Sequence, residues 1–106
     1  MRTLSTSRVP SAVAVQEVLK CKWALLLLGL VREGVVRPAH LQRAATGISY
    51  KVMNERLAKL LRLGLLQRTE VTGGGAHVEY ALTRQGERIS VILDQIAALD
   101  EDDERA

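Results

Sequence analysis

A chain of 106 residues is long enough for one compact core and too short for two, since single domains commonly run ~100–150 residues. Apolar residues make up 47% of it, yet there is no Phe, two Tyr and one Trp, so the core must be built from Leu, Val, Ile and Ala. The net charge of +3 averages a basic body, 14 basic against 6 acidic side chains in residues 1–93, and an acidic end, 1 against 6 in residues 94–106.

Residues 1–10 are rich in Ser and Thr, have no hydrophobic period and end in Pro10, the pattern of a flexible N-terminal arm. Ser11 is suited to cap a first helix over 11–19, with Val15, Val18 and Leu19 on one face. A second helix over 22–32 is apolar all round and is expected to be the central buried one, with Gly34 as its terminator. Its apolar run from Trp23 to Val31 is about half the ~20 residues needed to span a bilayer, so no membrane association is expected. No targeting segment is read at the N-terminus. Cys21, the one cysteine, excludes an internal disulfide framework and a zinc ribbon, which suits a cytoplasmic location.

Pro38 stands where a helix tolerates proline, in the first turn, and the segment 40–45 continues that helix with Leu41 and Ala44 as buried positions. Thr46-Gly47 breaks the pattern. Ser49 then caps a longer helix over 50–63, in which Met53, Leu57, Leu60 and Leu61 repeat at three- and four-residue spacings. Gly64 ends it. A strand over 65–71, a glycine-rich reversal at Gly73, Gly74 and Gly75, and a strand over 77–82 make a hairpin, with Val78, Tyr80 and Leu82 on its inner face. A last helix over 83–99 carries the apolar stripe Ile89, Ile92, Leu93, Ile96 and Leu99, opened by a weak capping box at Thr83, and residues 100–106 form an acidic, solvated tail.

Three helices, a two-stranded hairpin and a further helix give a mainly α fold with a small β-hairpin, the order of a winged helix-turn-helix domain over 11–99 with an additional C-terminal dimerisation helix. The tight joint at residues 46–49 presents the N-terminal end of the 50–63 helix outward, the geometry of a helix that enters a major groove. Tyr50, Lys51 and Asn54 lie within about one turn of each other, and an asparagine pairs bidentately with adenine. With Ser49 and His77 they are the candidate DNA-binding residues, joined by Arg43 and Arg68 as phosphate clamps. Arg56 lies beside the core stripe and is a candidate partner of Glu17, Glu33 or Glu55.

Lys22-Trp23 before a Leu-rich run, Gly47-Ile48-Ser49 with Lys51-Val52, and Arg56-Leu57 with Leu60 resemble the HxlR family of winged helix-turn-helix transcriptional regulators, which is MarR-like. Gly64-Leu65-Leu66 with Arg68, then Val78-Glu79-Tyr80 with Leu82-Thr83 and Gly86, continue the resemblance, which covers about 11–99. It implies a homodimer on a pseudo-palindromic site of double-stranded DNA, with one recognition helix per half-site. The family often carries a Cys-Pro pair ahead of its first helix, used in some members for redox or aldehyde sensing, where this chain reads Val9-Pro10-Ser11. Cys21 replaces a common glycine, and the wing tip has glycines where family members often have proline and basic residues.

Ile89, Ile92, Leu93 and Ile96 are the expected dimerisation residues, and Cys21, between Lys20 and Lys22, is the candidate redox residue. His40 and His77 lack the clustered partners that a metal site requires, so neither metal nor cofactor is expected. The glycine run lacks the Lys-Ser or Lys-Thr of a phosphate loop, and no nucleophile and base pair is legible, so an enzyme is not expected. The competing reading is a winged helix that serves as a protein-interaction module. Against it stands the +8 excess of residues 1–93, which a groove-reading surface needs.

Overall fold

The computed structural model describes residues 9–73 and 75–105, with side chains described up to Leu99. The expected arm, up to Arg8, and the side chains of the acidic tail lie outside the described residues. The order of elements is α1 (Ser11–Leu19), α2 (Lys22–Arg32), α3 (Pro38–Ala44), α4 (Tyr50–Arg62), β1 (Leu66–Val71), β2 (His77–Leu82) and α5 (Arg84–Arg105). The architecture is a winged helix: a helical body, a helix-turn-helix made by α3 and α4, and an antiparallel hairpin as the wing.

Helix α2 is the hub, packing against α1, α3, α4, α5 and β2. Ala24, Leu27, Leu28 and Val31 recur at the helical repeat and are buried, but Leu25 and Leu26 are 40% and 38% exposed. The all-round burial read from the sequence is therefore half right, because the surrounding elements leave one flank of α2 open. Helix α1 has the expected span, but Pro10 holds the N-cap position and Ser11 is the first helical residue, so the Ser11 hydroxyl does not cap the helix and instead accepts a hydrogen bond from the Gln85 side chain of α5. Its buried pair is Ala14 and Val18, with Leu19 exposed. Val15 and Leu19 fit a helical face as well as Ala14 does, and only the position of α2 selects among them.

In α3 the i, i+4 pair Leu41 and Ala45 is buried and Ala44 is exposed, one position off the expectation. The α3–α4 joint turns at Gly47, whose φ of +93° suits a residue without Cβ, while Ile48 plugs into the core. The Ser49 hydroxyl then accepts the Val52 N–H at 3.1 Å, the expected cap of α4. Met53, Leu57 and Leu60 face the core, with Leu61 beside them at its edge.

Strands β1 and β2 pair from Leu66 opposite Leu82 to Val71 opposite His77. Leu65 is not in the strand; it is fully buried and accepts the Thr83 N–H at 3.0 Å. Tyr80 is the buried side chain of β2, and its N–H donates to Val36 O at 2.9 Å, which ties the connection before α3 to the wing. Thr83 caps α5: its hydroxyl accepts the Gly86 N–H at 3.0 Å and donates to Gly64 O at 2.6 Å. Helix α5 continues beyond residue 99 to Arg105.

Candidate nucleic-acid interface

The core stripe of α4 leaves its opposite face outside, and that face begins at the first turn, which the Ser49 hydroxyl caps through the Val52 N–H. Ser49, Tyr50, Lys51, Asn54 and Glu55 are all exposed on it. Tyr50 is 56% exposed. Arg43 is exposed on α3, the other half of the helix-turn-helix. Among the described residues neither Lys51 nor Arg43 is held in an ion pair, so both ammonium and guanidinium are available to a phosphate.

The wing differs electrostatically. Arg68 lies 3.6 Å from the Glu70 carboxylate on the same strand. His77 Nε2 is 2.8 Å from Glu79 Oε2, and the same oxygen lies 3.9 Å from Arg37 Nε. Arg68 and His77 thus already have carboxylate partners. Arg37 and Glu79 were not singled out by sequence; the 42 positions that separate them leave no local signal, and they meet only because β2 pairs with Val36.

A second cluster lies behind α4. Lys59 Nζ is 3.3 Å from Glu17 Oε1 and donates to the Cys21 sulfur at 3.3 Å, and Lys20 reaches Glu17 Oε2 at 3.0 Å. The hydrogen bond from Lys20 and then that from Lys59 hold the Glu17 carboxyl below its usual range, and the contacts with Cys21 and Glu17 outweigh desolvation and raise the Lys59 ammonium. Sequence reasoning gave Cys21 its chain neighbours Lys20 and Lys22 as cations, whereas the group that touches the thiol is Lys59, 38 residues away. Lys59 also takes the Glu17 partner considered for Arg56. Arg56 makes no ion pair among the described residues, and its Nε is buried without a hydrogen-bond partner.

On α5 the expected dimerisation stripe divides. Ile89 and Leu93 are buried within the protomer, and Ile92 and Ile96 are 49% and 42% exposed. Leu99 is exposed beyond them. No helix among the described residues is long and apolar enough to cross a membrane, and no three His, Cys, Asp or Glu side chains among them converge as metal ligands would.

A sequence profile described as HxlR-like helix-turn-helix matches residues 18–104, from the end of α1 through α5. The chain belongs to the HxlR family. The HTH-type transcriptional regulator YtfH of Escherichia coli (strain K12) is 38% identical over 87 residues, 79% of this chain and 67% of the relative. Among solved structures, a MarR-family transcriptional regulator from Enterococcus faecalis V583 superposes with a TM-score of 0.80 at 25% identity, covering 97% of this chain and 96% of that one. The transcriptional regulator ytfH from Salmonella typhimurium gives a TM-score of 0.68 at 35% identity, covering 90% and 81%. An HxlR-type protein is a helix-turn-helix transcriptional regulator and not an enzyme, and DNA is the partner that membership implies.

Proposed function

We propose that this HxlR-type regulator reads a pseudo-palindromic operator in double-stranded DNA as a cytoplasmic homodimer. The observation that carries the reading is the N-terminal end of α4: a capped, solvent-facing turn that displays Lys51 and Asn54 opposite a fully buried Met53–Leu57–Leu60 stripe. Asn54 and Tyr50 face base edges in the major groove, while Ser49, Lys51 and Arg43 hold the phosphates on either side. Arg68 and His77 approach the backbone from the wing, and each exchanges a carboxylate for a phosphate to do so. Two protomers join through Ile92, Ile96 and Leu99 of α5, with Ile89 and Leu93 as the packed layer beneath. The pairing sets two α4 helices about one turn of duplex apart, ~34 Å.

Selection from random-sequence duplex tests the reading. The expected product is an inverted repeat with half-sites about 10 base pairs apart, bound with an affinity that falls steeply with salt. Replacing both Lys51 and Asn54 by alanine removes the preference for the selected site over random duplex while leaving the melting temperature within a few degrees of the parent. Retention of the same site at the same affinity by that double variant places the reading surface elsewhere.

The protein-interaction module remains the second reading, and the observation that favours it is the contact of Arg68 with Glu70 and of Arg37 and His77 with Glu79. Absent or salt-insensitive duplex binding supports it.

A further inference from the structure

The buried positions of α4, Met53, Leu57 and Leu60, fix which of its residues point the other way. At ~100° per residue, Lys51, Glu55, Ala58 and Arg62 each stand within roughly 50° of the direction opposite that stripe, and Glu55 within roughly 15° of it. Asn54 lies about 90° round, on the flank. Spacings of 4, 3 and 4 residues repeat the period of the buried stripe, so these four side chains form one ridge along the outer side of the helix. Lys51, Glu55 and Arg62 are exposed on it, and Ala58 is half-buried.

Two features of the ridge have no explanation inside the protomer. The first is the carboxylate at its centre line. Lys51 and Lys59 stand one turn to either side of Glu55, the spacing at which ion pairs form on a helix. Lys59 is instead held by Glu17 and Cys21. Neither Lys51 nor the adjacent Arg56 makes an ion pair among the described residues, and Glu55 has no partner among them. The second is the placement of the cations. Lys51 and Arg62 mark the two ends of the ridge, ~16 Å apart along the axis, and only Glu55 and the methyl group of Ala58 stand between them.

A helix lying in the major groove has a phosphate charge on the duplex for every ~1.7 Å of its length. A carboxylate carried there is repelled and loses water, and only a hydrogen-bond donor on a base edge compensates it. The groove offers two such donors, the N4 amino group of cytosine and the N6 amino group of adenine. N6 lies between two acceptors, adenine N7 and thymine O4, whereas N4 has an acceptor, guanine O6, on one side only. Guanine and thymine themselves present acceptors.

We infer that Glu55 is a specificity-determining residue that accepts a hydrogen bond from the N4 amino group of one cytosine in each half-site, while Lys51 and Arg62 hold phosphates at the two edges of the groove. The inference rests on the operator reading given above and adds to it the identity of a base. Glu55 acts chiefly by penalising other sequences, because every other base sets an acceptor against its charge.

Selection from random-sequence duplex, followed by competition binding at fixed salt, tests this with the full chain and its Glu55→Ala and Glu55→Gln variants. Glu55 is exposed, and alanine and glutamine both favour a helix, so the variants keep the fold. The parent is expected to hold cytosine at one column of each half-site, preferred about fivefold or more over any other base. Glu55→Ala keeps the other columns, evens out that one to within about twofold, and binds random duplex several-fold more tightly because a charge repelled by phosphates is gone. Glu55→Gln moves the column to adenine, whose N6 and N7 together suit a carboxamide. A Glu55→Ala chain with the parent's base preference at every column overturns the inference, as does one whose binding to all duplexes falls by the same factor. A parent that selects no site overturns the operator reading together with this one, whereas a selected site with no column that depends on Glu55 overturns this one alone.

Discussion

Gly86 occupies the first turn of α5 directly over the Leu65 backbone, and a methyl group there would overlap the Leu65 carbonyl oxygen and carbon. That carbonyl is not free to retreat, since it accepts the Thr83 N–H, and the Thr83 hydroxyl bridges Gly64 O and the Gly86 N–H. Gly86→Ala therefore forces α5 off the end of α4. The expected cost is about 2–3 kcal/mol, read as a lower urea midpoint with an unchanged slope. A midpoint equal to the parent's would show that the junction yields without strain. Gly86 appears in the sequence only as part of a family resemblance and, three residues after Thr83, where a capping box would carry Glu or Gln. Its reason is a contact 21 residues away.

At the scale of elements, α1, the start of α2 and α4 are joined by Glu17, Cys21 and Lys59. Glu17 titrates below its ordinary range in the folded chain, held there by Lys20 and Lys59, so its contribution is complete above the unfolded carboxyl value near 4.5 and is lost as pH falls through the lower folded value. Lys59 has the opposite sign: its raised value keeps its contribution intact at neutral pH, to be lost only as pH climbs through the lysine range. Glu17→Gln should thus melt below the parent at pH 7, and the two melting curves should converge in acid below the carboxylate range. A gap that persists unchanged at low pH would assign the difference to packing and not to charge. The element boundaries themselves were largely legible, because caps and breakers act locally: Pro38, Ser49 with Gly47, and Gly64 mark starts and stops within a residue. The phase of each helix was less so. Ala44 and Ala45 are chemically identical candidates for burial, and the packing of α3 on α2 decides between them.

For the whole molecule the decisive question is what covers α5. Its later turns carry Ile92, Ile96 and Leu99 in the open, a row of large apolar side chains that a protomer alone leaves in water. In the proposed dimer Ile92→Asp buries an unpaired carboxylate in the seam, and sedimentation velocity should report a monomer whose far-UV spectrum is unchanged. Since Ile92 lies outside the protomer core, an unchanged assembly state would move the seam to another face. Loss of pairing should also weaken operator binding far more than binding to random duplex, because half-site spacing is held by the dimer alone.

Hydrophobic periods and local breakers along the chain were enough to assign the class of fold, and motifs spread from Lys22 to Gly86 were enough to assign the family. They also determined which residues stand at the free end of α4, because a capped amphipathic helix exposes whatever its core stripe does not use. Only the packing of the folded chain makes Ile89 and Leu93 core while Ile92 and Ile96 are surface, brings Lys59 to Cys21, sets carboxylates against Arg68 and His77, and leaves one flank of α2 open at Gly29. The physical reason is range. Periodicity and capping act within about one or two helical turns, whereas burial and charge pairing depend on which distant segment arrives on the other side.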